Sequence, residues 1–201
     1  TGTMQSNKKI YAITGGIGCG KTAVSQIIRK EGYPVFSCDE IYAALVRGGK
    51  MVRAIEREFS GVTAADGSLD RQKLSAKVFG NPAALQKLNQ ITHPAILDGL
   101  FRLASESESS TVFCEVPLFF EAGLQNRFDG AIVVVRSLEK RVQAVIERSG
   151  ISREEVLARI NSQFDYSSAD LSGYYIVTND GNIDDLAQKV KKILQNIANL
   201  T

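Results

Sequence analysis

Eight consecutive residues near the start of the chain have the types and spacing needed to hold a phosphate group. The stretch Gly15-Gly16-Ile17-Gly18-Cys19-Gly20-Lys21-Thr22 matches the pattern G-x-x-x-x-G-K-[ST] in full. In this pattern the glycines let the main chain curl around an anion, the lysine reaches the β- and γ-phosphates, and the final hydroxyl ligates Mg2+. The sequence therefore predicts a nucleotide site, with the following residues against the phosphates: Gly15, Gly18, Cys19, Gly20, Lys21, Thr22 and Ala23.

The residues on either side of this loop favour the same interpretation. Ile10-Tyr11-Ala12-Ile13 reads as a short buried strand, and the apolar residues Val24, Ile27 and Ile28 recur at helical spacing after the loop. A strand followed by a helix is the context that the motif requires, and the dipole of that helix favours a bound anion. A glycine-rich turn that matches by chance is the alternative, and the flanking pattern disfavours it.

Two carboxylates follow predicted strands. Asp39 comes just after the β-favouring run 34–37, and Glu115 lies at the end of the run 111–116. Ligands of open parallel sheets bind at the carboxyl ends of strands, so Asp39 is predicted to face the same crevice as the phosphate loop. A helix N-cap is the alternative role for Asp39. Glu115 needs a partner if it is buried, either Mg2+ with its water shell or a structural hydrogen bond, and the sequence leaves both open.

The remaining pattern predicts an α/β fold. Apolar runs at Ala131–Val135 and Tyr174–Val177 bring the number of predicted strands to five. Helical spacing without strand signals extends over 47–103, returns in the arginine-rich region 138–163, and closes the chain around 186–194. Strands that alternate with helices predict a three-layer sandwich around a five-stranded parallel sheet.

Composition limits the classes of partner. The 201 residues suit one domain, which we place at residues 8–201, and 24 basic against 22 acidic residues give a net charge of +2. No basic run suggests nucleic acid, and no apolar run approaches the roughly 20 residues of a membrane span. Three widely spaced cysteines suggest reduced thiols without a zinc site or disulfides. We therefore expect a soluble protein of the cytoplasm with small-molecule partners, and its oligomeric state stays open.

Beyond the phosphate loop, an ordered set of motifs resembles the dephospho-coenzyme A kinase family of P-loop kinases. The resemblance extends over nearly the whole chain, and its motifs are Asp39, His93-Pro94, Pro117-Leu118-Phe119-Phe120-Glu121, Arg148, Arg159 with Gln163, and Asn179. It implies ATP-dependent phosphorylation of the ribose 3'-hydroxyl of dephospho-coenzyme A, the final step of coenzyme A synthesis. It also implies a P-loop nucleotide core at about 8–39 and 108–201, a helical substrate-binding insertion at about 40–107, and a helical lid at about 145–170.

The resemblance also implies roles for individual residues. Asp39 would orient the attacking hydroxyl and accept its proton, and Lys21 would neutralise phosphate charge. Arg148 would cover the transferring group, with Arg141 and Arg159 as further candidates for that role. ATP and Mg2+ are the implied cofactors, with Thr22 as the metal ligand. The further implied contacts of ATP are Arg148 and Asn179, and those of the substrate are Asp39, His93, Pro117, Glu121 and Arg159. Judged without the family, a single histidine before a proline is more often a packing or capping residue.

The sequence departs from the family pattern at several positions. Ser37 replaces the first acid of Asp-x-Asp, Cys19 replaces a serine of the loop, and Ser149 replaces an aspartate. Ala144 stands where the family often has a second lid arginine, and the nearest arginine is Arg141. Another small-metabolite or nucleoside-monophosphate kinase and an inactive nucleotide-binding homologue are therefore alternatives. A GTP-driven switch would need a late Asn-Lys-x-Asp motif, which the sequence lacks.

Overall fold

A computed structural model of the chain describes residues 8–200. Within that range the structure has five strands, and four consecutive helices separate the second strand from the third. In chain order they are β1 (Lys9–Gly15), α1 (Lys21–Lys30), β2 (Val35–Ser37), α2 (Cys38–Leu45), α3 (Lys50–Glu58), α4 (Arg71–Val78), α5 (Pro82–Glu106), β3 (Thr111–Glu115), β4 (Gly130–Val135), α6 (Leu138–Ser149), α7 (Arg153–Ser162), β5 (Tyr175–Thr178) and α8 (Ile183–Ala198).

The five strands form one sheet in the order β2-β3-β1-β4-β5. β1 pairs in parallel with β3 on one side and with β4 on the other, and β4 pairs in parallel with β5. After β1 the chain goes first to the β2–β3 side and later returns to the β4–β5 side. The carboxyl end of β1 is thus the topological switch point, where ligands of open α/β sheets bind. The predicted α/β fold with a five-stranded parallel sheet is confirmed.

One face of the sheet packs against α1 and α8. Alternate strand residues such as Ile13, Ile132 and Val177 are buried there, as the two-residue period of a strand dictates. The apolar residues of α1 and α8 recur at helical spacing and fill the other side of this core. The helical members are Val24, Ile27, Ile28, Leu186, Val190, Ile193, Leu194 and Ile197.

The chain divides into two compact units, one formed by residues 8–36 with 107–200 and the other by Ser37–Glu106. The second unit contains α2 to α5 and has its own apolar core, which includes Val52, Ile55 and Leu74. Its only bridge among the described residues joins Thr63 to Leu69 around the turn at Gly67. None of the helices described for residues 8–200 combines the length and the hydrophobicity that a membrane span requires.

Candidate functional site

The phosphate loop occupies the switch point of the sheet. Gly15 ends β1, Lys21 is the first residue of α1, and Gly20 at the N-cap position has no side chain with which to cap the helix. The first main-chain N–H groups of a helix have no partner within it, so they are available to an anion at the loop. Thr22 in the first helical turn is exposed, and its hydroxyl is accessible.

Glycine is required at two loop positions for both conformation and space. Gly18 and Gly20 have φ values of 78° and 94°, in the left-handed region that other residues rarely adopt. A Cβ atom on Gly18 would lie 2.5 Å from the main-chain oxygen of Arg141, and one on Gly20 would lie 2.4 Å from Nδ2 of Asn179. The motif glycines therefore let neighbouring elements approach the loop closely.

The Lys21 side chain folds back over the loop. Its Nζ atom donates hydrogen bonds to the main-chain oxygens of Gly15 at 2.8 Å and Gly16 at 3.3 Å. These bonds hold the ammonium group at the centre of the loop, where it adds its positive charge to that of the helix dipole. Phosphate oxygens that enter the loop can replace the two carbonyl oxygens as its acceptors.

Four side chains from distant parts of the chain brace the loop. Arg136 donates from Nη1 to the oxygen of Gly18 at 3.2 Å, and Asn179 donates from Nδ2 to the oxygen of Cys19 at 2.9 Å. The other two, Arg141 and Gln163, both bind Ile17. Sequence reasoning had identified three of the four but missed Arg136. The sequence feature that could have identified Arg136 is its position directly after the apolar strand β4, at the sheet edge that carries the loop.

A cavity of about 370 Å³ adjoins the loop, lined by Gly16 and Cys19 and by residues of β4, β5 and the segment 166–171. Cys19 is only 1% exposed. Three buried polar atoms of the described chain have no hydrogen-bond partner, namely Thr14 Oγ1, Arg136 Nε and Tyr166 Oη. The Thr14 hydroxyl lowers the pKa of the Tyr166 hydroxyl by less than burial raises it, although the two groups form no hydrogen bond with each other. Burial, above all, raises the pKa of Tyr166 to about 12, so its ring stays neutral.

Glu115 lies half-buried at the carboxyl end of β3, beside β1. Its Oε2 atom accepts a hydrogen bond at 2.8 Å from the hydroxyl of Ser25, a fully buried residue of α1. No group of three or more potential metal ligands occurs among residues 8–200. Mg2+ bound with a nucleotide keeps several waters and takes most other ligands from phosphate, so a single hydroxyl at Thr22 with a carboxylate at the same sheet edge fits this ion.

Asp39 belongs to the Ser37–Glu106 unit, where it is the second residue of α2 and is exposed. The N-cap of α2 is Ser37, whose hydroxyl accepts from the N–H of Glu40 at 3.4 Å. The alternative in which Asp39 caps this helix is therefore wrong. Its side chain makes no hydrogen bond or ion pair within residues 8–200, and it remains available to a ligand.

The other residues implied by the resemblance lie at varied positions. Arg148 in α6 and Arg159 in α7 are exposed, and their guanidinium groups have no partner among the described residues. Glu121 is exposed, whereas Pro117 is half-buried after β3. His93 is half-buried in α5, where burial lowers the pKa of its imidazole. Proline follows it inside this helix.

The aromatic residues of the Pro117-to-Glu121 motif pack against the segment after α7. The Phe120 ring stacks on Phe164 with ring centroids 4.5 Å apart, and it meets Tyr166 edge-on. Phe119 contacts Phe128 and Tyr174. These contacts fix the segment that carries Gln163 and Tyr166 toward the loop.

Comparison with known proteins identifies close relatives. A family model described as Dephospho-CoA kinase matches residues 9–185. A dephospho-CoA kinase of Thermus thermophilus is 38% identical over 185 residues, which cover 92% of this chain and 90% of the relative. A crystal structure of a Thermus thermophilus protein aligns with a TM-score of 0.81 at 35% identity, over 94% of this chain and 97% of that one. The structure of a dephospho-CoA kinase from Campylobacter jejuni aligns with a TM-score of 0.67 at 29% identity, with the same two coverages.

Proposed function

The chain belongs to the dephospho-CoA kinase family, and we propose that it uses ATP to phosphorylate the ribose 3'-hydroxyl of dephospho-coenzyme A, with coenzyme A and ADP as products. The observation that carries the proposal is the braced phosphate loop at the switch point of the sheet, with Lys21 at the start of α1. Phosphoryl transfer asks little covalent chemistry of a protein, and its catalysis depends on positioning and charge neutralisation.

The loop would hold the triphosphate of ATP through its main-chain N–H groups. Lys21 would exchange its hydrogen bonds to the oxygens of Gly15 and Gly16 for bonds to the β- and γ-phosphates. The family resemblance further supports contacts of ATP with Gly18, Ala23 and Asn179. Two guanidinium groups, those of Arg136 and Arg141, already lie at the loop and add positive charge beside it.

Asp39 would act as the general base on the acceptor. Its exposed carboxylate has no competing hydrogen bond within residues 8–200, so it could accept the proton of the attacking 3'-hydroxyl. The substrate contacts that we infer from the family are those of His93, Pro117, Glu121 and Arg159. The neutral imidazole favoured by burial suits His93 as a hydrogen-bonding residue rather than a cation.

The region around 145–170 would serve as the lid. It comprises the end of α6 and all of α7, and it presents Arg148 as an unpaired, exposed guanidinium. On closure, Arg148 would cover the transferring phosphoryl group and exclude water. The core at about 8–39 and 108–201 and the substrate-binding insertion at about 40–107 would complete one kinase domain.

Mg2+ is the metal we expect with ATP. Thr22 would ligate it through its exposed hydroxyl, and Glu115 would bind its water shell while still accepting from Ser25. When bound, Mg2+ neutralises charge on the β- and γ-phosphate oxygens. We place the enzyme in the cytoplasm, and its three thiols suit a reducing compartment.

The test is an assay of ADP release coupled to an indicator enzyme, with dephospho-coenzyme A set against adenosine, AMP and shikimate as acceptors. We expect turnover with dephospho-coenzyme A only, and mass spectrometry should show that the product gains one phosphoryl group. Preferred turnover of another acceptor would identify a different small-metabolite kinase. ATP binding without turnover of any acceptor would identify an inactive homologue, the alternative that Ser37 and Ala144 raise.

A further inference from the structure

Ile17, the third residue of the phosphate loop, is held by contacts to its N–H, its main-chain oxygen and its side chain. Its N–H donates to Oε1 of Gln163 at 2.8 Å, and its main-chain oxygen accepts from Nε of Arg141 at 3.0 Å. Its side chain packs into the apolar core between α6 and α7, which centres on Val142, Val145 and Val156. Both peptide groups of one residue are thus bound by side chains that lie 146 and 124 positions away.

A loop with this sequence needs such restraint. Four of its first six residues are glycines, and glycine loses more conformational freedom on ordering than any other residue. Phosphate binding requires that successive N–H groups point at one anion, which is one conformation among many. Two hydrogen bonds to Ile17 fix the orientation of the peptide planes on both sides of it.

The Arg141 guanidinium also lies close to a second residue of the loop, Gly16. The phosphate-loop pattern accepts any residue at position 16, yet a Cβ atom on Gly16 would lie 2.1 Å from Nη2 of Arg141. The guanidinium therefore lies directly against the main chain at Gly16. Arg141 therefore contacts the first two variable residues of the motif, Gly16 through its guanidinium and Ile17 through a hydrogen bond.

We propose that Arg141 and Gln163 are positioning residues, which hold the phosphate loop in its nucleotide-binding conformation through Ile17 and do not themselves contact the reacting groups. The inference rests on the proposed function only in taking ATP as the nucleotide. If the loop is ordered before ATP binds, binding no longer includes the entropic cost of ordering it. The apparent affinity for ATP is then proportional to the fraction of free molecules whose loop is already in the binding conformation.

The consequence is specific to ATP. Losing either hydrogen bond lowers the competent fraction in the free protein, so the dissociation constant of ATP and the KM for ATP increase. Once ATP is bound, the phosphates themselves order the loop, and kcat at saturation changes little. The KM for dephospho-coenzyme A should not change. A side chain that only stabilised the fold would lower the melting temperature and leave these constants unaltered.

The experiment compares two glutamine variants of the full chain, Gln163→Met and Gln143→Met. Gln143 is exposed on α6 and bonds only Glu147, so its replacement removes a similar hydrogen bond away from the loop. Titration with ATP, in the absence of any acceptor, should show about fivefold weaker binding for Gln163→Met, the factor expected for one net hydrogen bond. Gln143→Met should bind as the wild type does.

Arg141→Lys and Gly16→Ala provide independent readouts. Lysine keeps the charge but lacks Nε and the planar guanidinium, so Arg141→Lys should weaken ATP binding about as much as Gln163→Met. Gly16→Ala should do the same by displacing the guanidinium. Unchanged ATP affinity in Gln163→Met, or full affinity in Arg141→Lys, would overturn the proposal. Because binding is measured without acceptor, a failure of the proposed kinase activity would be seen separately, in the turnover assay.

Discussion

The side-chain amide of Asn179 donates a hydrogen bond of 2.9 Å to the main-chain oxygen of Cys19, a residue 160 positions earlier. Asn179 is the first residue after β5, and Cys19 lies in the phosphate loop after β1. The missing side chain of Gly20 makes this approach possible, since a Cβ atom there would lie 2.4 Å from the same nitrogen. One end of the loop is therefore tied to the edge strand of the sheet.

Asn179→Ala should raise the KM for ATP about fivefold with little change in melting temperature, because it removes one hydrogen bond to the loop. Asn182→Ala is the matched control. Asn182 caps α8 by accepting from the N–H of Asp185 at 2.9 Å, so its loss should cost about 1 kcal/mol of stability and leave the KM unchanged. Steady-state kinetics and thermal unfolding of both variants test the difference, and equal effects on KM would refute it.

Lys21→Ala should lower phosphoryl transfer by about 10²-fold or more, the usual result of removing one charge stabiliser. The fold should survive, because the ammonium group bonds only loop atoms. Lys30→Ala, an exposed lysine in the last turn of the same helix, is the control and should retain activity. ADP release and circular dichroism are the measurements, and near-normal turnover in folded Lys21→Ala would contradict the assigned role.

Asp39→Asn should lower kcat strongly while ATP binding is kept, since the amide preserves shape but cannot accept a proton. Asp98→Asn, at an exposed position of α5 in the same unit, should leave kcat unchanged. Titration with ATP measures the affinity and steady-state rates measure kcat, and together they distinguish a general base from a residue that binds metal or nucleotide. A loss of ATP affinity at unchanged kcat would assign Asp39 to metal or nucleotide binding instead.

Iodoacetamide should modify Cys38 before Cys19 and Cys114. Cys19 lies next to the N-terminus of α1 and to the ammonium group of Lys21, and both features favour a reactive thiolate. The structure nevertheless buries Cys19 to 1% exposure and Cys114 completely, whereas Cys38 is half-buried. Peptide mass spectrometry over a time course measures the order. Early alkylation of Cys19 that ATP with Mg2+ prevents would show that the loop opens readily.

Tyr166→Phe should stabilise the protein relative to the wild type as the pH rises from about 10 toward 12. Burial raises the pKa of Tyr166 from 10.0 to about 12, so the unfolded chain loses this proton first and the stability of the wild type falls across that window. At pH 7 the change should be small, because the buried hydroxyl has no hydrogen-bond partner to lose. Urea unfolding of both proteins at pH 7 and pH 11 is the test, and an unchanged difference between the two pH values would contradict it.

The pattern of apolar residues along the sequence was sufficient to predict the strands and the buried face of the first helix. The apolar runs predicted all five strands, and the spacing of Val24, Ile27 and Ile28 identified the buried face of α1. The cap of α7 is equally local, because the Ser152 hydroxyl accepts from the N–H of Glu155, three residues later. These features depend on neighbours within about four positions, where backbone geometry and side-chain period leave few alternatives.

The loop motif and the family motifs likewise indicated the chemistry from residue types in order along the chain. The sequence could not assign Glu115 a partner, and the structure gives it the hydroxyl of Ser25. It left Asp39 with a capping alternative, which Ser37 takes instead. In both cases the deciding contact depends on which hydroxyl lies within hydrogen-bond distance, and residue type alone does not determine that.

Sequence alone thus determined the phosphate-binding loop, because glycine conformations and the position of Lys21 at a helix start are local properties. Only the tertiary structure decided the strand order, the burial of Cys19 and the contacts that brace the loop. Arg136, Arg141 and Gln163 come from 118 to 146 positions away. Which such side chains meet depends on how the elements pack around β1, and no periodicity along the chain encodes it.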